Sequence, residues 1–176
     1  MHISQFTKKP ATKKTAFLTA AAFAFICISA AIVDKSNFTG EWTLNEKKSD
    51  LGEFGARFTP KKIKVEQKED GLSIERVISF NGEDRTTSEK LTLDGKESEN
   101  TVFNNSKKKS TAKWSDDGQT LTVNSVTKLD RNGEILEIKS TETWKLMNDG
   151  KSLSLETVST SSMGTNTVKA VFDKAK

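Results

Sequence analysis

The sequence predicts an all-β fold: an up-and-down antiparallel meander closed into a barrel of about 8–10 strands, preceded by a signal-peptide helix. Three observations predict it. Turn dipeptides recur at short spacing: Asp70-Gly71, Asn81-Gly82, Asp94-Gly95, Asp117-Gly118, Asn132-Gly133, Asp149-Gly150 and Met163-Gly164. Asn-Gly and Asp-Gly mark tight hairpins, because the central residues of such turns need positive φ. The runs between these turns alternate apolar and polar with a period of two, as half-buried strands do. Leu72/Ile74, Leu121/Val123, Leu136/Ile138 and Val168/Ala170/Phe172 are examples. Every connection after Gly71 is short, so strands adjacent in sequence become antiparallel neighbours in space. A long meander must deal with its two edges, and closure into a barrel removes them. A two-sheet sandwich needs longer crossovers, and none follows Pro60.

The elements follow in chain order. Residues 1–14 carry Lys8, Lys9, Lys13 and Lys14 and no acid. Residues 15–33 are apolar and Ala-rich, with small residues at Ser29, Ala30 and Ala31. A basic region, an apolar region and a small-residue site make a secretory signal peptide. Cleavage is expected after Ala31, which leaves residues 1–31 as leader and 32–176 as the barrel domain. The mature chain is then expected in the periplasm or outside the cell, without a stable membrane span. Two alternatives stand beside this. The apolar run is near the lower length limit for a span and could remain as an uncleaved anchor. Cys27 could take a lipid, although Ile26 stands where such signals place a small residue.

Removing the leader changes the charge. The whole chain carries 28 basic and 24 acidic residues, net +4. Without the four leader lysines the remainder holds 24 of each. The basicity belongs to targeting and gives no argument for nucleic acid, which needs a clustered basic surface. The sole His is His2, the sole Cys is Cys27, and there is no Tyr. The exported domain therefore has no disulfide, no Ser-His-Asp or Cys-His machinery and no His- or Cys-ligated zinc. No catalytic residue, metal or cofactor is expected. A carboxylate pair such as Glu66 and Glu75 would be the remaining enzymatic option, and its placement across a hairpin is that of a surface pair.

Ten strands are expected, at roughly 38–46, 61–68, 72–80, 85–93, 98–105, 110–115, 120–130, 134–147, 152–160 and 166–173. Residues 51–60, LGEFGARFTP, form the one sizeable loop, with a hint of helical period over 51–58. Phe54 and Phe58 in it would serve either a lid over the barrel mouth or a packed plug. Lys107-Lys108-Lys109 reads as a solvated loop. The pattern around Trp114, Asp117-Gly118 and Leu121 is echoed around Trp144, Asp149-Gly150 and Leu153, which suits a meander of equivalent hairpins.

The first strand holds Phe38, Gly40, Trp42 and Leu44 on one face. A buried indole covers about 150–250 Å² and can plug a barrel base, and a glycine one pleat earlier leaves room for a close crossing. Gly40-Glu41-Trp42 followed by a meander resembles the calycins, the group of lipocalins and fatty-acid-binding proteins. The likeness is greatest to small exported lipocalin-like proteins of bacteria. It implies a barrel whose base is locked by Gly40 and Trp42, with a cation from the last strand over the indole. Lys169 is the cation on the last expected strand, and the family's Tyr-bearing turn has no counterpart here.

Period two also lists an inner face: Leu72, Ile74, Arg76, Ile78 and Phe80 on the third strand; Leu121, Val123, Ser125, Thr127 and Leu129 on the seventh; Leu136, Ile138, Ser140, Glu142, Trp144 and Leu146 on the eighth. A polar middle suggests a wet or ligand-bearing lumen. An inward Arg needs an anionic partner. Arg76 would hold the carboxylate of an acidic lipophile, as the resemblance implies, or pair with Glu142 or another carboxylate, or turn outward at a bulge. Trp114 and Trp144 would pack the core or line a pocket. The expected function is binding of a small hydrophobic or amphipathic ligand. The alternative is a protein-interaction module, such as an inhibitor of a secreted hydrolase working through the segment before the barrel. Oligomeric state is left open.

Overall fold

The computed structural model describes residues 33–131 and 133–175; the leader, its cleavage site and Cys27 lie outside the described residues. Residues Ile32–Lys176 form one compact unit. Its strands are β1 (Gly40–Leu44), β2 (Lys62–Gln67), β3 (Gly71–Phe80), β4 (Glu83–Thr92), β5 (Glu97–Thr101), β6 (Lys107–Trp114), β7 (Thr120–Arg131), β8 (Glu134–Met147), β9 (Ser152–Ser161) and β10 (Gly164–Lys174). A seven-residue helix, α1 (Gly52–Phe58), joins β1 to β2 through the intervening loops.

All ten strands belong to one antiparallel sheet in the order β4-β3-β2-β1-β10-β9-β8-β7-β6-β5. The first and last strands meet, with Trp42 opposite Lys174 and Leu44 opposite Phe172. The backbone ladder lapses only between β4 and β5, and side chains bridge that seam. Asn100 Oδ1 accepts the Lys90 N–H at 2.8 Å, and Asn100 Nδ2 donates to the Lys90 carbonyl at 2.9 Å. Ser98 Oγ accepts the Thr92 N–H at 3.0 Å. A carboxamide carries the same donor and acceptor as a peptide, so Asn100 stands in for a strand residue. The result is a nearly closed up-and-down barrel.

Alternate turns lie at opposite ends. One end holds the turns after β2, β4, β6 and β8, and there the core is packed. Phe38, Leu121, Trp144, Leu153 and Phe172 are fully buried, with Trp42 and Ile63 at 1% exposure. Burying each such side chain contributes about 1.5–3 kcal/mol. Toward the other end, Ile78, Leu129, Leu136, Ile138 and Val168, which share strand faces with the core residues, are only half-buried; Leu129, Leu136 and Ile138 lie where the β7–β8 hairpin runs past the last residues paired with β6 and β9. Helix α1 sits against β10 here, so close that a Cβ on Gly55 would come within 2.5 Å of Val168 Cγ2.

Four details differ from the sequence expectation. The fifth strand stops at Thr101 and passes into a 3-10 turn at Phe103–Asn105. Lys107–Lys109 is the start of β6, paired with β7, and not a loop. Residues 51–60 hold a helix whose Phe58 is 62% exposed, so Phe58 is no packed plug; the side chain of Phe54 lies outside the described set. Asn81 and Gly82 have φ of 52° and 81°, as their hairpin requires, whereas Gly71 has no positive φ. Glycine is needed at Gly71 for another reason: a Cβ would lie 2.9 Å from the Leu91 carbonyl oxygen.

Candidate ligand site in the barrel lumen

Strand alternation carries four charged side chains into the barrel. Arg76 follows Leu72 and Ile74 on the inner face of β3. Glu89 shares the inner face of β4 with Leu91, Lys108 that of β6 with Ala112, and Glu142 that of β8 with Trp144. They meet across the lumen. The Arg76 guanidinium pairs with Glu89 through Nη1 and with Glu142 Oε2 through Nη2 at 2.7 Å. Lys108 Nζ lies 2.8 Å from Glu89 Oε2. Trp144 Nε1 donates to Glu142 Oε2 at 3.1 Å, and its ring lies 5.7 Å from the Arg76 guanidinium carbon.

Burial is deep: Arg76 is 7% exposed and Glu89 5%. A lone charge there would cost several kcal/mol, and only pairing and hydrogen bonds offset it. Burial on its own drives Glu89 toward its neutral form, but the Arg76 and Lys108 charges reverse this and hold its carboxyl below the usual glutamate range. Burial likewise disfavours the Arg76 cation, and Glu142 and Glu89 more than restore it. Two cations thus face two carboxylates, and the network has no net charge.

A row of hydroxyls runs round the wall at the neighbouring level. Ser110, Ser125, Ser140 and Ser159 are successive register partners across β6, β7, β8 and β9. Ser159 Oγ donates to Ser140 Oγ at 3.2 Å. Ser110 Oγ is buried with no hydrogen-bond partner among the described residues, as is Trp114 Nε1.

The base is built from the G-x-W stretch. Trp42 Nε1 donates to the Phe38 carbonyl at 3.0 Å. Phe38 stacks on Trp114 (centroids 5.6 Å, 4°) and meets Trp144 edge-on (5.7 Å, 67°). The cation over the Trp42 indole is Lys174, at 5.3 Å, and not Lys169; Lys169 pairs with Glu156 on the outside. Gly40, with φ of 147°, makes room for it: a Cβ there would lie 3.0 Å from Lys174 Cε.

Of the residues singled out from the sequence, the structure brings Arg76, Glu142 and Trp144 together. It places Trp114 against the base and Phe58 on the surface near the half-buried end. Glu89, Lys108 and Ser110 were missed. Leu91 and Leu93 alternate in the same way as the other strand residues, and extending that pattern back by one pleat would have found Glu89. Lys108 and Ser110 share the parity of Ala112, hidden by reading three lysines as a loop.

The fold that holds this polar floor is a nearly closed, up-and-down antiparallel barrel of ten strands. No family model matches the sequence, and no curated protein matches it. Among solved structures it is similar to zebrafish ileal bile acid-binding protein, crystallised in complex with cholic acid, with a TM-score of 0.54 and 17% identity. The match covers 80% of this chain and 100% of that one.

Proposed function

We propose that residues 32–176 form an exported, non-enzymatic binding protein for a small hydrophobic or amphipathic ligand. The observation that carries this is the difference between the two halves of the lumen. One half is packed like an ordinary core. In the other, Ile78, Leu129, Leu136 and Ile138 stay half-buried above a polar floor. Apolar walls with a few convergent polar groups are what a small-molecule site needs. The zebrafish protein of the same fold, with cholic acid bound, supports the reading. Export rests on the basic-then-apolar leader, and no helix among the described residues is long and apolar enough to cross a membrane.

Native mass spectrometry of the protein purified from its own host without detergent tests both parts. A discrete small-molecule increment over the denatured mass is expected, and the denatured mass should begin at Ile32. A bare native mass that takes up no added lipophile would overturn the binding reading. A denatured mass that retains the leader would overturn cleavage.

A further inference from the structure

The charge balance of the floor has a bearing on which ligand the lumen takes. Arg76 is the obvious candidate to hold an anionic head, yet its charge is already met by Glu89 and Glu142. Lys108, the other inward cation, is met by Glu89. An added carboxylate would leave the buried cluster net negative, and an uncompensated buried charge is strongly unfavourable. The unmet hydrogen-bonding capacity is neutral. Ser110 Oγ is 1% exposed, points inward from β6 between Lys108 and Ala112, and has no partner among the described residues. Ser125, Ser140 and Ser159 continue the same row. A hydroxyl both donates and accepts, so such a wall matches a polar group that does the same.

We infer that the lumen selects an amphiphile with an uncharged, hydroxyl-bearing head and discriminates against the corresponding anion. This rests on the lipophile-binding reading proposed above. The hydroxyls of the head would bond to the Ser110 row, and the chain would lie along Ile78, Leu129, Leu136 and Ile138.

The test compares 1-monolauroylglycerol with laurate at pH 8, each below its aggregation concentration, by titration calorimetry on the unmodified protein. The glycerol ester is expected to bind at least ~10-fold more tightly, about 1.4 kcal/mol. Ser110→Ala should weaken the ester and leave laurate unchanged. Glu142→Gln, which removes one carboxylate and leaves Arg76 paired with Glu89, should raise laurate affinity toward that of the ester. Laurate binding as tightly as the ester to the unmodified protein would overturn the inference and leave the lipophile-binding reading intact. Binding of neither probe would overturn both.

Discussion

At Glu89 a carboxylate sits almost fully buried between two cations, and this makes acid the condition that probes it best. Its folded-state pKa lies below the ordinary value of 4.5 because Arg76 and Lys108 outweigh the effect of burial. For a depressed carboxylate the stabilisation is fully present above the unfolded pKa. It is lost as pH falls through the folded one. The unfolding free energy should therefore decline below about pH 4.5, at up to about 1.4 kcal/mol per pH unit for this one proton. Asp173 contributes in the same direction, held low by hydrogen bonds from Asn45, Lys48 and Ser152, so the useful quantity is a difference. Urea titrations of the parent and Glu89→Gln from pH 6 to pH 3 should show a shallower acid limb in the variant. Parallel limbs would mean that Glu89 is not ion-paired in the folded protein.

Among the elements, the seam between β4 and β5 shows where local pattern stops being informative. Hairpins were legible because each is specified by its own residues: Asn81-Gly82 supplies two positive-φ positions, and the flanking alternation sets the faces. The bounds of β7, β8 and β9 fall within a residue of expectation for that reason. The start of β6 was not legible, since three consecutive lysines look solvated until pairing with β7 fixes which of them points inward. The partners of Arg76 were only partly legible: Glu142 followed from parity on β8, but contact across a lumen is set by barrel closure, which no local stretch encodes. The same holds for Asn100, an unremarked polar residue on a short strand that replaces a missing ladder. Asn100→Ala should free the Lys90 N–H and carbonyl at a cost near 1 kcal/mol. Hydrogen exchange of the Lys90 amide should then quicken by roughly 5- to 10-fold, with amides of β7 and β8 unaffected. Unchanged exchange at Lys90 would show that the seam is closed by something other than this side chain.

Taken as a whole, the barrel is two regions on one set of strands, and the proposed function requires that they differ energetically. β7 and β8 run through both: Leu121 and Trp144 are fully buried at one end, and Leu129 and Leu136 half-buried at the other. A side chain that keeps part of its water contact in the folded protein loses less when truncated than one that is sealed off. A packed one leaves a cavity that its neighbours cannot fill. Trp42→Ala should therefore cost about 3–5 kcal/mol, a large part of the roughly 5–15 kcal/mol that holds a typical domain. Leu136→Ala should cost less, about 1–2 kcal/mol, because its side chain stays partly wet. The two variants, compared by urea denaturation of the unliganded protein, separate the alternatives. The expected contrast would show that this end of the barrel is not packed like the base, as a ligand-accepting lumen requires. Equal, large losses would mean that the barrel is filled along its whole length. Such a barrel has no room for a ligand, and its activity would have to lie on its outer surface.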